Sequence, residues 1–153
     1  MSHSKKAVFK KESLHITGAS LKLAGAGLKI TVPRLKILEI LEEAKEHHLT
    51  AEAIYKALGE SRKIGFATVY RVLTQFEEAG LVVRHNFESD QAVFEINHGA
   101  HHDHLVCVKC HRVEEFLDSE IERRQDEIAK NAGYVITAHH LNIYGICKDC
   151  QAT

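Results

Sequence analysis

A chain of 153 residues, 44% hydrophobic and 27% charged, has the make-up of a globular protein of one or two small domains. No run approaches the roughly 18 apolar residues of a membrane-spanning helix. The mildly apolar segment 19–28 is broken by Lys22 and lacks a leader's cleavage pattern. The net charge of −1 conceals a division: residues 1–87 carry 14 Lys/Arg against 9 Asp/Glu, and residues 88–153 carry 6 against 12. The first part suits a polyanion, and the second holds most of the hard-metal ligands.

Residues 1–22 read as a basic tail, with Lys5, Lys6, Lys10 and Lys11 and no durable period, followed by a short helix around 21–28. Thr31 caps the first clear helix, with Pro33 tolerated in its first turn. Leu35, Ile37, Leu38, Ile40, Leu41 and Ala44 then recur at helical spacing to about Glu46. Thr50 caps a second helix, closed by Gly59, with Ile54, Tyr55 and Leu58 on its buried side. A third runs over 66–79 with Val69, Val72, Leu73 and Phe76 as its apolar stripe and Gly80 at its end. Residues 81–88 and 92–96 alternate as strands around the turn Ser89-Asp90-Gln91.

Three helices and a hairpin make a winged helix-turn-helix over 23–96, whose third helix is the natural reader of a major groove. Its polar face offers Thr68, Tyr70, Arg71 and Thr74. Arg71 suits phosphate or guanine, and the Tyr70 ring suits a thymine methyl.

Residues 97–100 bridge to a second unit, 97–153. Strands are expected at 105–107 and 112–117, a helix over 119–131, and one or two further strands within 134–146. The fold class is therefore α+β: a winged helix followed by a small α/β domain. Ten residues here concentrate the ligand chemistry: His101-His102-Asp103-His104, then Cys107-Val108-Lys109-Cys110. Cys147 and Cys150 repeat the two-residue gap, and two CxxC pairs are the arithmetic of a structural Zn²⁺ site. The competing reading, a disulfide or thioredoxin-like redox pair, wants an oxidising compartment or a strand-to-helix turn that neither pair occupies; a reducing cytoplasm fits better. In an extended backbone His102 and His104 share one face and His101 and Asp103 the other, so one tetrapeptide can feed two metal sites. Ser119 and Glu122 have capping-box spacing, which leaves Glu122 open between cap and ligand.

Four stretches together resemble the ferric uptake regulator family: Gly27-Leu28-Lys29-Ile30-Thr31-Val32-Pro33-Arg34, Gly65-Phe66-Ala67-Thr68-Val69-Tyr70-Arg71-Val72-Leu73, Arg84-His85-Asn86-Phe87-Glu88, and the His/Asp/His run with its CxxC. The likeness covers about residues 24–150. It implies a dimeric, metal-responsive transcription factor with a C-terminal dimerisation domain, and three metal sites. Cys107, Cys110, Cys147 and Cys150 would hold structural zinc; His48, Glu95, His102, His104 and Glu115 would form the regulatory, iron-sensing site; His101, Asp103, Glu122 and His139 would form an additional site. His47, His98, His111 and His140 match no ligand position. A tail about fifteen residues longer than typical departs from the family.

A His/carboxylate set without thiolate suits Fe²⁺ or Mn²⁺, and also Zn²⁺. Glu95 and Glu115, rather than Asp, look more like iron sensors than peroxide sensors of this family. The expected function is a cytoplasmic repressor of iron-acquisition genes that binds A/T-rich inverted repeats in double-stranded DNA as a homodimer or tetramer. Lys29 is expected in the narrow minor groove, with Arg34 and Arg84 on phosphate. The rivals are a zinc, manganese or peroxide sensor of the same fold, a zinc-dependent hydrolase, and a structural zinc adaptor. An enzyme would need an open metal position beside a general base. The Cys₄ set is closed, and the reading is a regulator, not an enzyme.

Overall fold

The computed structural model describes residues 17–59 and 63–153. The basic cluster Lys5, Lys6, Lys10 and Lys11 lies outside them. The folded part reaches back into the stretch read as tail: α1 (Gly18–Gly25) is capped by Thr17, and its Ala19 and Leu23 are buried.

Helix α2 (Val32–Glu43) starts where Thr31 accepts a hydrogen bond from the Arg34 N–H. A two-residue strand, β1 (Leu49–Thr50), precedes α3 (Ala51–Ala57), and Thr50 also caps α3 through the Ala53 N–H at 3.0 Å. Helix α4 (Phe66–Glu78) buries Val69, Val72, Leu73 and Phe76, the stripe expected from spacing. Gly80, at φ 75°, makes the left-handed exit that lets the chain turn into the hairpin.

Strands β2 (Val82–His85) and β3 (Val93–Ile96) pair antiparallel, and β1 adds to β3, giving the order β1-β3-β2. The register sets Val83 opposite Glu95 and His85 opposite Val93, so these four side chains share one face of the hairpin. The other face carries Arg84 and Phe94. The core of this half is continuous: Leu23, Ile37, Leu38, Ile54, Val69, Leu73, Phe76 and Phe94 are fully enclosed. Each such side chain contributes roughly 1.5–3 kcal/mol by leaving water.

The second half is a sheet of order β5-β4-β6: β4 (Asp103–Cys107), β5 (Val113–Phe116) and β6 (Asn142–Gly145). β4 pairs antiparallel with β5 and parallel with β6, and α5 (Ser119–Asn131) makes the crossover. The last helix, α6 (Lys148–Gln151), follows Cys147. Within 134–146, where one or two strands were expected, β6 is the one that forms, and residues 134–140 form none. Tyr134 and Val135 stand in solvent, 73% and 88% exposed, so a strand there would have no buried face to hold it. The cap of α5 is Asp118, which accepts from the Glu120 and Ile121 N–H groups; Ser119 is already inside the helix. The capping-box frame was therefore displaced by one residue, and Glu122 is released from a capping role.

Candidate metal centres and nucleic-acid interface

The parallel β4–β6 pairing brings the two CxxC motifs together. It places Cys107 opposite Gly145, two residues before Cys147. After β4 the chain reverses through His111 at φ 62°, where the His111 N–H donates to the Cys107 carbonyl at 2.9 Å. Ligand atoms of Cys107, Cys110, Cys147 and Cys150 all lie within 4.8 Å of one another. Cys110 Sγ and Cys147 Sγ are 3.7 Å apart. Four thiolates at 2.3 Å around one tetrahedral ion stand about 3.8 Å apart, whereas a disulfide needs about 2.05 Å. The thiols are also unequally poised. Backbone N–H groups of Cys110 and Cys147 bring the Cys107 thiol down to about 5, while the neighbouring Cys147 and Cys110 sulfurs push Cys150 up to about 12. Four sulfurs this close ionise together only around a cation, and the donor set fits Zn²⁺.

The residues expected to form the regulatory site converge from both halves. His48 follows α2, Glu95 lies on β3, His102 precedes β4, and His104 lies within it. These four present ligand atoms within 4.8 Å of one another. Glu95 is the hub, 4% exposed, with one carboxylate oxygen 2.6 Å from His48 Nε2 and the other 3.1 Å from His102 Nε2. Burial alone would raise the Glu95 carboxyl. The approach of His104, His48 and His85 outweighs it and holds the group ionised well below the usual carboxylate range.

His104 Nε2 is buried without a hydrogen-bond partner among the described residues, and His48 Nε2 is buried against the Glu95 carboxylate. Buried polar atoms are normally paired, and imidazole nitrogens of this kind facing a buried carboxylate fit a divalent cation. Glu115, on β5, stands at the rim: its Oε1 is 3.7 Å from both His48 and His102, and its side chain is 35% exposed.

One residue of this cluster escaped the sequence reading. His85, on β2, has Nε2 2.8 Å from Glu95 Oε1, and its ring packs on His104 at 4.6 Å. Strand alternation placed His85 on the hairpin face that carries Glu95, but that required the register, which the sequence left open.

The additional set lies across β4 from the first. Nε2 of His101 is 3.2 Å from both Asp103 Oδ1 and Glu122 Oε1, and His139 Nε2 is 3.2 Å from Glu122. Asp103 is fully buried, and among the described residues neither of its oxygens accepts a well-directed hydrogen bond, His101 being the imidazole beside it. A buried carboxylate in that setting fits a cation. His102 and His104 fall in one group and His101 and Asp103 in the other, the division that backbone alternation requires.

On the opposite side of the N-terminal half, α4 presents Thr68, Tyr70 and Arg71, with Tyr70 39% exposed. Arg71 Nη2 donates to Thr68 Oγ1 at 3.4 Å, and Arg84 Nη2 donates to the Tyr70 hydroxyl at 2.8 Å. Arg34 spans two elements: Nη1 donates to the Lys29 carbonyl at 2.8 Å and Nη2 to Gln75 Oε1 at 3.0 Å. Both arginines expected on phosphate thus also brace this face, Arg84 fixing the tyrosine and Arg34 fixing the loop that carries Lys29.

Residues 25–144 match the Ferric uptake regulator family. The chain is 65% identical over 142 residues to the ferric uptake regulation protein of Legionella pneumophila, covering 92% of this chain and 99% of that one. Among solved structures, the Vibrio cholerae ferric uptake regulator, described with a rearrangement of its DNA-binding domains, is 52% identical. It covers 83% of this chain and 98% of its own, with a TM-score of 0.76. The Francisella tularensis regulator, solved with iron, is 41% identical over 82% of this chain and 96% of its own, with a TM-score of 0.77. A winged helix joined to a Cys₄-bearing α/β unit, with a buried His/carboxylate cluster between them, accompanies that identity along nearly the whole chain: it belongs to the ferric uptake regulator family of metal-responsive transcriptional regulators.

Proposed function

We propose that this chain represses iron-acquisition genes when Fe²⁺ occupies the site formed by His48, Glu95, His102 and His104, with Glu115 closing its rim. The observation that carries the reading is the origin of the ligands: a buried carboxylate on the wing hairpin faces imidazoles from both halves. A divalent ion bound there supplies the positive charge that lets Glu95 and these imidazoles close on one point. His48 and Glu95 then hold the DNA-binding unit (23–96) in one orientation against His102 and His104 of the dimerisation unit (97–153). Zinc at Cys107, Cys110, Cys147 and Cys150 pins the end of β4 to the end of β6. His101, Asp103, Glu122 and His139 form a further cation site that ties α5 to β4. Mn²⁺ or Zn²⁺ suits the regulatory donor set as a substitute.

The dimer is a second copy joined through the second half. Its support is the apolar surface there: Leu105, Leu117, Ile128, Ile143 and Ile146 are each more than 40% exposed. In a symmetric pair, the angle between the halves sets the separation and tilt of two α4 helices. Thr68, Tyr70 and Arg71 would then read an A/T-rich inverted repeat, with Lys29 in the minor groove and Arg34 and Arg84 near phosphate. Because DNA and ion favour the same conformer, each strengthens the other by the same factor. Moving the equilibrium from mostly open to mostly closed takes about 5.5 kcal/mol of differential affinity. No described helix is long and apolar enough to cross a membrane, and a cytoplasmic site of action is part of this proposal.

Fluorescence anisotropy tests it. The zinc-loaded protein is titrated onto an A/T-rich inverted repeat, anaerobically and at fixed salt, with Fe²⁺, Mn²⁺ or Zn²⁺ against a chelator control. Tight binding with Fe²⁺ or Mn²⁺ supports an iron-sensing repressor. A response to trace Zn²⁺ alone makes it a zinc sensor, and no DNA binding under any condition ends the regulator reading.

A further inference from the structure

His85 belongs to the regulatory cluster yet stands outside its ligand set. Its Nε2 lies 2.8 Å from Glu95 Oε1 and its side chain is 15% exposed. To bond a carboxylate at that distance the nitrogen must carry the proton and donate it. His48, Glu95, His102 and His104 form the group whose ligand atoms lie within 4.8 Å of one another, and His85 falls outside it. The ring is also fixed: it stacks on Phe87 at 5.0 Å with 7° between planes, and its edge meets His104. Such a ring fixes whatever it holds. Ligating carboxylates are commonly oriented by a donor of this kind.

The position of His85 in the chain extends its reach. Arg84 is its neighbour on β2, so the two side chains leave opposite faces of the hairpin. On the far face, the Arg84 guanidinium sits 5.7 Å from the Phe94 ring centre and 5.6 Å from that of Tyr70, and donates to the Tyr70 hydroxyl. One strand thus separates the regulatory cluster from the exposed tyrosine of α4. A displacement of His85 moves the backbone that Arg84 shares.

We infer that His85 is a positioning residue of the regulatory site: its Nε2–H holds Glu95 for the ion and ties β2, and through Arg84 the Tyr70 side chain, to metal occupancy. This rests on the reading that an ion binds at His48, Glu95, His102 and His104.

The test uses Co²⁺ as the probe, titrated anaerobically into zinc-loaded full-length protein against a competing chelator, with visible absorption reporting the ligand set. His85→Phe keeps the stacking and removes the donor; His85→Gln restores a donor. Both are compared with wild type at equal zinc content and helicity, and His85→Gln carries the test alone if the phenylalanine variant does not fold. The expected result is Co²⁺ affinity weakened by about 10- to 100-fold in His85→Phe and partly recovered in His85→Gln. The absorption bands stay in place, and the gain in DNA affinity at saturating Co²⁺ shrinks. Unchanged Co²⁺ affinity, altered bands marking His85 as a ligand, or an undiminished DNA gain would each overturn the inference. His48→Ala separates the two levels. It should change the Co²⁺ bands in otherwise wild-type protein, and if it leaves them intact the site assignment itself fails, and this role with it.

Discussion

The two halves of this molecule are held together by different means. Residues 17–96 enclose a continuous apolar core in which Leu23, Ile37, Leu38, Ile54, Val69, Leu73, Phe76 and Phe94 are at most 1% exposed. Residues 97–153 bury Val106 and Cys107, and α5 buries nothing. The polar groups they bury are candidate ligands, Asp103 and His104, and Cys107 is the buried member of a Cys₄ cluster that reaches the surface at Cys110. A hydrophobic core folds on its own; a core of thiols and carboxylates needs cations and a partner surface to offset the desolvation of its polar atoms. The half that carries the Cys₄ cluster is therefore the half that should depend on its metal.

The largest effect should follow removal of zinc. Cys107→Ser or Cys110→Ser is expected to unfold or monomerise the second half while α1–α4 persist. Hydrogen exchange read half by half, with sedimentation for assembly, checks this. Equal loss of protection in both halves would break the contrast. Next in size, Phe76→Ala should cost about 3–5 kcal/mol in the first half, with zinc content unchanged, as urea unfolding and metal analysis would show. The regulatory site comes third. His48→Ala or His104→Ala should keep zinc and dimer yet abolish the Fe²⁺-dependent gain in DNA affinity, seen as coincident anisotropy curves with and without the ion. A variant that monomerises would mean His48 or His104 is part of the scaffold.

The same contrast decides what was legible in the sequence. Val69, Val72, Leu73 and Phe76 announce α4 because a helix packed on a core imposes a 3.6-residue period, and Thr31 and Thr50 mark their helix starts through local hydrogen bonds. The second half gives fewer such signals. Residues 134–146 read as one strand or two, and only β6 forms, because Tyr134 and Val135 find no apolar surface to cover. Ser119 and Glu122 matched a cap by spacing, but Asp118, one residue earlier, has the free oxygen that reaches two N–H groups. The separation of His102 and His104 from His101 and Asp103 was legible in backbone alternation, while His48, Glu95, Glu115, Glu122 and His139 entered only through the family likeness. His85 was not legible, because its role depends on the register that sets it diagonally from Glu95, and Arg34 was not, because Gln75 lies 41 residues away.

The smallest effect is the sharpest comparison. Thr31→Ala and Asp118→Ala each delete one helix cap, at α2 and at α5, a loss of about 1 kcal/mol in either context. Helix α2 is bound into the core through Ile37, Leu38 and Leu41, so its loss must appear in the global unfolding of the first half. Helix α5 buries no side chain, so its first turn can fray alone. Asp118→Ala should then leave the urea midpoint of the first half unchanged, while amide exchange quickens over residues 120–122. Because Glu122 sits in that turn, 3.2 Å from His101 and from His139, the same substitution should weaken any cation held there without touching the Cys₄ zinc. A shift of the first half's midpoint by Asp118→Ala as large as that from Thr31→Ala would show that the two halves unfold as one, and that the division of labour between packing and ligation does not extend to stability.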